Sequence, residues 1–224
     1  KMNAFVDNFF NPEILREVWP LLLAGVWVTV KLCLLVIPLG LAGGLLLALA
    51  SGSRRRWVRW LGVVYTDFFR AFPPLVLLLF VAFGLPFVGI DAGAVGSVAI
   101  AFLLNTSSYY GEVFRAGIES VPAGQVEAAR SPGLTIGQTL RSVVMPQAVR
   151  NVLPDLVGNT LEVIKLTSLA SVVAMPELLY AARQAQSLTY NATPIIAAGL
   201  IYLLLLWPVV RWLSRLEHRQ ISVH

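Results

Sequence analysis

A chain of 224 residues with 57% hydrophobic residues, 13% charged residues and a mean hydropathy of +0.75 is far more apolar than a soluble domain of that size and carries about half the usual charge. These values exclude a water-soluble globule, and the formal net charge of +5 reads as a membrane-topology signal with no nucleic-acid partner implied. The single cysteine, Cys33, lies inside an apolar run, so no disulfide or thiolate metal cluster can form within one chain.

Apolar runs at Leu21–Ala50, Trp57–Phe83, Ala92–Phe114, Val143–Ala174 and Pro194–Leu213 each approach or exceed the roughly 20 residues that a helix needs to cross about 30 Å of hydrocarbon. The expectation is an all-α integral membrane protein with five transmembrane helices. Residues 1–20 read as an N-terminal segment outside the bilayer and 21–224 as one transmembrane domain. No cleavable signal peptide is expected, because the first apolar run is too long for an h-region and no small-residue cleavage site closes it. Lys1 before Met2 reads as a residue added ahead of the initiator.

Arginines set the orientation. Arg54, Arg55, Arg56 and Arg59 fall between spans one and two, Arg115, Arg130, Arg141 and Arg150 flank spans three and four, and Arg211, Arg215 and Arg219 follow span five. The other side holds only Lys1, Arg16 and Arg183, which puts the N-terminus outside and the C-terminus in the cytoplasm. The Gly84–Gly93 and Met175–Thr193 loops then face outward.

In span one, Gly40 and Gly44 form a G-x-x-x-G pair that lets a neighbouring backbone approach, and Pro38 predicts a bend just before it. Lys31 either snorkels to the interface or finds a partner. Span two opens with Trp57 and Trp60, then carries Asp67 and Arg70 at depth, followed at once by Phe72-Pro73-Pro74. Two consecutive prolines remove two backbone donors, so carbonyls near Arg70 lose their intrahelical partners. Such a break is tolerated where it faces protein or a water-filled cavity, and broken helices point to a transporter's binding site. A kinked helix with a self-satisfying Asp67–Arg70 pair is the plainer reading.

Span three holds Asn105, Thr106, Ser107, Ser108, Tyr109 and Tyr110, then Glu112. Six consecutive hydrogen-bonding side chains cover every face of a helix, and serve interhelical bonds, a polar path or both. After it, Val121-Pro122-Ala123-Gly124-Gln125 ends the helix, Gln125–Arg130 predicts a short helix, Pro132-Gly133 breaks it, and Thr135–Val143 predicts a second. This cytoplasmic stretch, about 119–146, carries Glu127, Arg130, Gln138 and Arg141 and reads as a docking surface for a soluble partner or as a plain connecting loop. Span four carries Glu162, Lys165, Thr167 and Ser168; Glu162 and Lys165 stand one turn apart and either neutralise each other or line a path with both signs. A short outward helix is predicted within about 175–188, with Ala, Leu and Tyr on one side and Glu177, Arg183 and Gln184 on the other. His218 and His224 read as solvated residues of an exposed tail.

The order Glu127-Ala128-Ala129, Gly133 and Val143-Val144-Met145-Pro146 closely resembles the EAA loop of membrane subunits of ATP-binding-cassette importers. Tyr110-Gly111-Glu112-Val113-Phe114-Arg115-Ala116-Gly117-Ile118 and Met145-Pro146-Gln147-Ala148-Val149-Arg150 resemble the branch that imports polar amino acids. Lys165-Leu166-Thr167-Ser168-Leu169-Ala170-Ser171-Val172 with Pro176-Glu177-Leu178-Leu179, and Arg70-Ala71-Phe72-Pro73 with Phe83-Gly84-Leu85-Pro86, extend the match over most of the chain.

The resemblance implies a type I importer permease of the bacterial cytoplasmic (inner) membrane. It implies a second permease subunit, identical or related, two ATPase subunits that hold ATP and Mg, an outside solute-binding protein, an amino-acid substrate and surrounding lipid. Glu127, Ala128, Ala129, Arg130, Gly133 and Pro146 would couple to the ATPase; Arg70, Asn105, Ser107, Tyr109, Glu112, Glu162, Lys165, Thr167 and Ser168 would line the substrate path. No catalytic or metal residues and no cofactor on this chain are expected. The chain lacks a G-x-x-x-x-G-K-[ST] phosphate loop, which agrees with an energy source on another polypeptide. Two departures stand out: Ala71-Phe72 where the family usually has Gly-Thr, and Leu166 where an acid is common, which weakens the case for a cationic amino acid. A passive channel for small polar solutes is the rival reading. A membrane-embedded enzyme would need a nucleophile–base or metal constellation that the sequence does not present.

Overall fold

In a computed structural model that describes residues 7–221, every regular element among the described residues is a helix. Lys1, Met2 and His224 lie outside them. Helix α1 (Pro12–Ser51) is followed by α2 (Arg56–Ala71), α3 (Pro74–Leu79), a π turn at Phe80–Gly84 and a 3-10 turn at Leu85–Val88. Next come α4 (Gly93–Glu119), α5 (Ala123–Arg130), α6 (Ile136–Thr139), a π turn at Leu140–Val144, α7 (Met145–Asn151) and α8 (Leu153–Leu166). A 3-10 stretch at Thr167–Val173, α9 (Leu178–Thr189) and α10 (Thr193–Ile221) complete the order.

Helix α1 runs 40 residues, about 60 Å at 1.5 Å per residue. It starts ahead of the apolar run at Leu21 and continues unbroken through Pro38. By length and composition α1, Leu153–Val173 and Thr193–Leu213 can each cross a membrane, and α2 with Pro74–Val88 can do so as a broken pair. The 27 residues of α4 reach about 40 Å, but the polar run Asn105–Tyr110 dilutes their hydropathy.

The fourth apolar run is shorter than its sequence suggests. We expected one span over Val143–Ala174; the structure instead places α7 on the preceding loop and breaks the helix at Val152 (φ −104°, ψ 11°). Pro154, two residues on, has no N–H to give Arg150, and this missing donor sets the break. The second loop helix therefore does not stop at Val143; turn follows turn from Ile136 to Asn151.

The chain divides into two compact units. One comprises the stretch up to Val36, Pro74–Ala101 and the chain from Leu161 on. Its core packs Val18 and Leu22 of α1 on Leu178, Ala182 and Ala185 of α9 and Ala197 and Ala198 of α10. A Cβ on Gly25 would stand 2.9 Å from the Leu178 Cα and 2.9 Å from the Ala181 Cβ, so glycine is what allows α1 and α9 to touch. Asn11 N donates to Thr193 Oγ1 (3.0 Å) and Ala192 N to Asn8 O (3.0 Å), which ties the start of α1 to the start of α10.

The other unit comprises Ile37–Pro73 and Phe102–Thr160. Here Gly40, Gly43 and Gly44 of α1 lie against Thr106, Ser107 and Tyr110 of α4; a Cβ on Gly40 would come within 2.4 Å of Thr106 Oγ1, and one on Gly44 within 2.5 Å of the Tyr110 Cβ. The close approach expected of the Gly40 and Gly44 pair is thus made, with α4 as the neighbour.

Forcing a methyl group into this contact tests it. Gly44→Ala should lower stability in detergent by about 1–3 kcal/mol through overpacking. Gly199→Ala, a helical position with nothing within 4 Å, should leave stability unchanged or raise it by up to about 1 kcal/mol. Thermal unfolding of both variants decides: equal losses would refute the close-approach account.

Candidate functional site

The site begins with two missing protons. In a continuous helix the amides of residues 73 and 74 would bond the carbonyls of Phe69 and Arg70, but both residues are proline and donate nothing. Helix α2 ends at Ala71; Phe72 turns extended (φ −82°, ψ 127°) while its own N–H still reaches Phe68 O at 3.0 Å. The two orphaned carbonyls are met from α4. Asn105 Nδ2 donates to Phe69 O (3.3 Å) and Tyr109 Oη to Arg70 O (3.3 Å), two side chains one turn apart on a single helix face.

Beside this break the Arg70 guanidinium lies over the Tyr109 ring, 5.6 Å from its centroid, with Nη1 3.9 Å from Glu112 Oε1. The Asp67–Arg70 pair considered from sequence is not the one formed; Arg70 faces Glu112, on the neighbouring helix. Glu112 is held by Arg115 (Nη2–Oε1 2.6 Å, Nε–Oε2 2.9 Å), and Arg115 also holds Glu119 (2.6 and 2.7 Å). The hydrogen bonds that Arg115 donates to the two carboxylates, Glu112 first, push its pKa above the ordinary value. Arg70, Glu112, Arg115 and Glu119, with Ser51, Arg59, Thr66 and Asp67, line a cavity of about 310 Å³. At 3.9 Å the Arg70–Glu112 contact is a loose ion pair, and the Arg70 side chain is 41% exposed. It is a cation that a carboxylate-bearing ligand can reach.

The polar run on α4 is mostly spoken for. Asn105, Thr106, Ser107, Ser108 and Tyr110 are buried, and only Tyr109 is exposed. Ser107 Oγ meets Tyr65 Oη (2.9 Å), Thr106 bonds Phe102 O (2.6 Å), Ser108 bonds Asn105 O (2.6 Å), and Tyr110 Oη meets Thr160 Oγ1 (2.8 Å). Of the residues expected on a substrate path in this unit, Arg70 and Tyr109 are exposed, Glu112 is half-buried and held by Arg115, and Asn105 and Ser107 hold helices together. In the other unit, Glu162 and Lys165 pair with each other on an exposed face of α8. Thr167 is buried and bonds Ile164 O (2.7 Å), and the half-buried Ser168 bonds Lys165 O (2.8 Å). Lys31 finds a partner: its ammonium sits 5.3 Å from the Trp27 ring centroid.

The loop between α4 and α8 stands on a small core of its own. Val121, Val144 and Ala148 are buried together, with Ile118, Val126 and Leu140 against them. Gly133 adopts φ +98°, a left-handed turn that favours glycine, and its N–H bonds Arg130 O (3.0 Å). Thr135 and Gln138 form a reciprocal capping box that starts α6. Glu127, Ala128, Arg130, Gly133 and Pro146 are exposed and Ala129 is half-buried.

Sequence reasoning missed one residue. Glu177, assigned to the polar side of an outward helix, is wholly buried. Its carboxylate caps α9, accepting from Tyr180 N (2.7 Å), Leu179 N (2.9 Å) and Tyr202 Oη (3.0 Å). Burial raises its pKa, and these donors oppose the rise. An acid directly before a helix start, after Pro176, was the available signal. Among the described residues no group of His, Cys, Asp and Glu could hold a metal ion.

Long apolar helices, a proline-broken helix beside a charged cavity and an exposed helical loop define a membrane transport subunit. A family model described as binding-protein-dependent transport system inner membrane component matches residues 40–222, and the chain belongs to that family. It is 37% identical over 197 residues to the probable amino-acid ABC transporter permease protein YckA of Bacillus subtilis (strain 168), covering 88% of this chain and 87% of that protein. It is 34% identical over 188 residues to the arginine transport system permease protein ArtQ of the same organism, covering 83% and 86%. A crystal structure of an amino acid ABC transporter with histidines superposes with a TM-score of 0.83 at 33% identity, covering 92% of this chain and 96% of that one. The chain is a permease of an ATP-driven importer, and the passive-channel reading is not favoured. Membership implies ATPase and substrate-binding partners.

The two roles on α4 separate experimentally. Asn105→Ala uncovers the Phe69 carbonyl and should cost about 1–3 kcal/mol of stability. Glu112→Gln should change stability by under about 1 kcal/mol, because its pairs are half-exposed, yet alter substrate-concentration dependence of uptake. Melting curves and uptake kinetics of the two variants make the check; an inert Glu112→Gln would remove Glu112 from the path.

Proposed function

We propose that this protein moves a polar amino acid across the bacterial inner membrane by alternating access, with its N-terminus outside and its C-terminus in the cytoplasm. It pairs with a second permease subunit, identical or related, on two ATPase subunits that bind ATP and Mg. A solute-binding protein delivers the amino acid from outside. The observation that carries the reading is the loop at about 119–146: polar, exposed and internally braced, between stretches apolar enough for lipid. A segment built that way transmits a push from a soluble partner. Glu127 and Arg130 contact the ATPase surface, Ala128 and Ala129 permit close packing, Gly133 supplies the turn, and Pro146 starts the helix that carries the movement inward.

The substrate carboxylate competes with Glu112 for Arg70, whose charge and exposure suit that exchange. Asn105 and Ser107 hold the wall of the path in place, and Tyr109 and Glu112 face it; Glu162, Lys165, Thr167 and Ser168 belong to the other unit. ATP-driven closure of the ATPases rocks the permeases outward, and hydrolysis resets them.

Gly133→Asp tests the coupling. Aspartate tolerates the left-handed turn far less well than glycine and adds a charge to the docking face. In proteoliposomes containing the whole importer, ATP-driven uptake should fall at least about tenfold, as a loss of more than 1.4 kcal/mol of productive docking would give, with the complex still folded. Uptake at the unaltered rate would sink the assignment.

A further inference from the structure

The corner where α1 gives way to α2 carries more than a topology signal needs. Arg54, Arg55, Arg56 and Arg59 are all exposed, and among the described residues no ion pair engages any of them. Arg56, Trp57, Arg59, Trp60 and Val63 line an open groove of about 660 Å³. Trp57 and Trp60 are 61% and 64% exposed. Below them the stripe continues down α2 as Leu61, Val64 and Phe68, each roughly half exposed.

From this arrangement we propose that the groove is a binding site for an anionic phospholipid, its phosphate held by Arg56 and Arg59 and an acyl chain lying along Trp60, Val63 and Val64. Guanidinium groups take a phosphate oxygen pair in a forked geometry. Indole rings sit by preference at headgroup depth, with their apolar bodies toward the chains. Unpaired basic clusters immediately beside a membrane-spanning helix attract anionic lipid. A positive-inside signal requires only the charges; it calls for neither the groove nor the tryptophans. A soluble protein partner could meet the arginines but could not follow an apolar stripe into hydrocarbon. The proposal rests on the membrane-spanning reading and not on the coupling or substrate assignments.

The test is native mass spectrometry of the intact importer taken from nanodiscs of mixed phosphatidylglycerol and phosphatidylcholine, reading which lipid is retained. The wild-type complex should retain phosphatidylglycerol preferentially. Arg56→Gln with Arg59→Gln should lower that preference about 30-fold, at about fivefold per arginine. Arg211→Gln with Arg215→Gln removes the same charge elsewhere and should leave it within about twofold. Trp60→Ala keeps every charge, and hence the topology, and should still reduce retention at least about threefold. Gly133→Asp should retain the lipid normally, which separates failure of this site from failure of coupling. The proposal is overturned if the double arginine variant or Trp60→Ala binds like the wild type. It is equally overturned if the distal control falls as far, or if phosphatidylcholine is retained as well as phosphatidylglycerol.

Discussion

Backbone groups inside hydrocarbon have no water to bond, so every donor removed from a helix leaves an acceptor that the protein itself must satisfy. Pro73 and Pro74 remove two, and much of one unit is arranged around the consequence. The Phe69 and Arg70 carbonyls are met by Asn105 and Tyr109, which fixes which face of α4 turns to α2. Of the polar run on α4, Asn105, Thr106, Ser107, Ser108 and Tyr110 are then buried, each with a partner, while Tyr109 stays exposed. The glycines at 40, 43 and 44 let α1 close on the face carrying Thr106, Ser107 and Tyr110. A break in one helix thus dictates the composition of two others.

The same constraint shapes the other unit by a different device. Helix α9 starts with orphan amides, as every helix does. Leu178 N donates to Thr29 Oγ1 (3.1 Å), and Leu179 N and Tyr180 N both donate to the Glu177 carboxylate. The cap is shared between α9's own residue and α1, and Gly25 gives α1 the room to reach it. Tyr202 of α10 closes the set on Glu177, so three helices converge on one buried acid. Removing it would expose three donors at once, which explains a carboxylate where an apolar residue would be easier to bury.

How much of this could be read from residues alone follows the range of the physics. Proline chemistry is local, so the break at Phe72-Pro73-Pro74 and the orphaned carbonyls were legible, as was the turn at Gly133. Small-residue spacing showed that α1 had a close neighbour but could not say that α4 was it. Charge partners were least legible: Asp67 is one turn from Arg70 in sequence, yet Glu112 on another helix is nearer in space. Glu177 was misplaced because amphipathic patterning sends acids to solvent, and a cap satisfied by Thr29 and Tyr202 is a long-range fact. Span four was overextended because hydropathy reads through Val152 and Pro154, where the backbone does not.

The loop we propose for coupling to the ATPase shows why an exposed segment needs a core. A soluble partner can only move membrane helices through it if the loop is stiffer than its own contacts; otherwise the push is absorbed by bending. Val121, Val144 and Ala148 bury a small apolar cluster under α5 and the π turn, the Thr135–Gln138 box locks the start of α6, and Asn151 Nδ2 reaches Ser120 Oγ (2.8 Å) across the base. Gly117 adds the close approach of α4 to α7, where a Cβ would stand 3.0 Å from Ala148 O. Apolar surface is scarce on a loop of this kind, so its few buried residues sit where the two ends of the loop meet. A displacement applied at Glu127 or Arg130 then reaches α4 and α7 together, and passes to α8 along the chain through the break at Val152 and across from α4 through the Tyr110–Thr160 bond. Transfer into α4, with α8 tied to it at Thr160, is the motion this distribution of contacts permits.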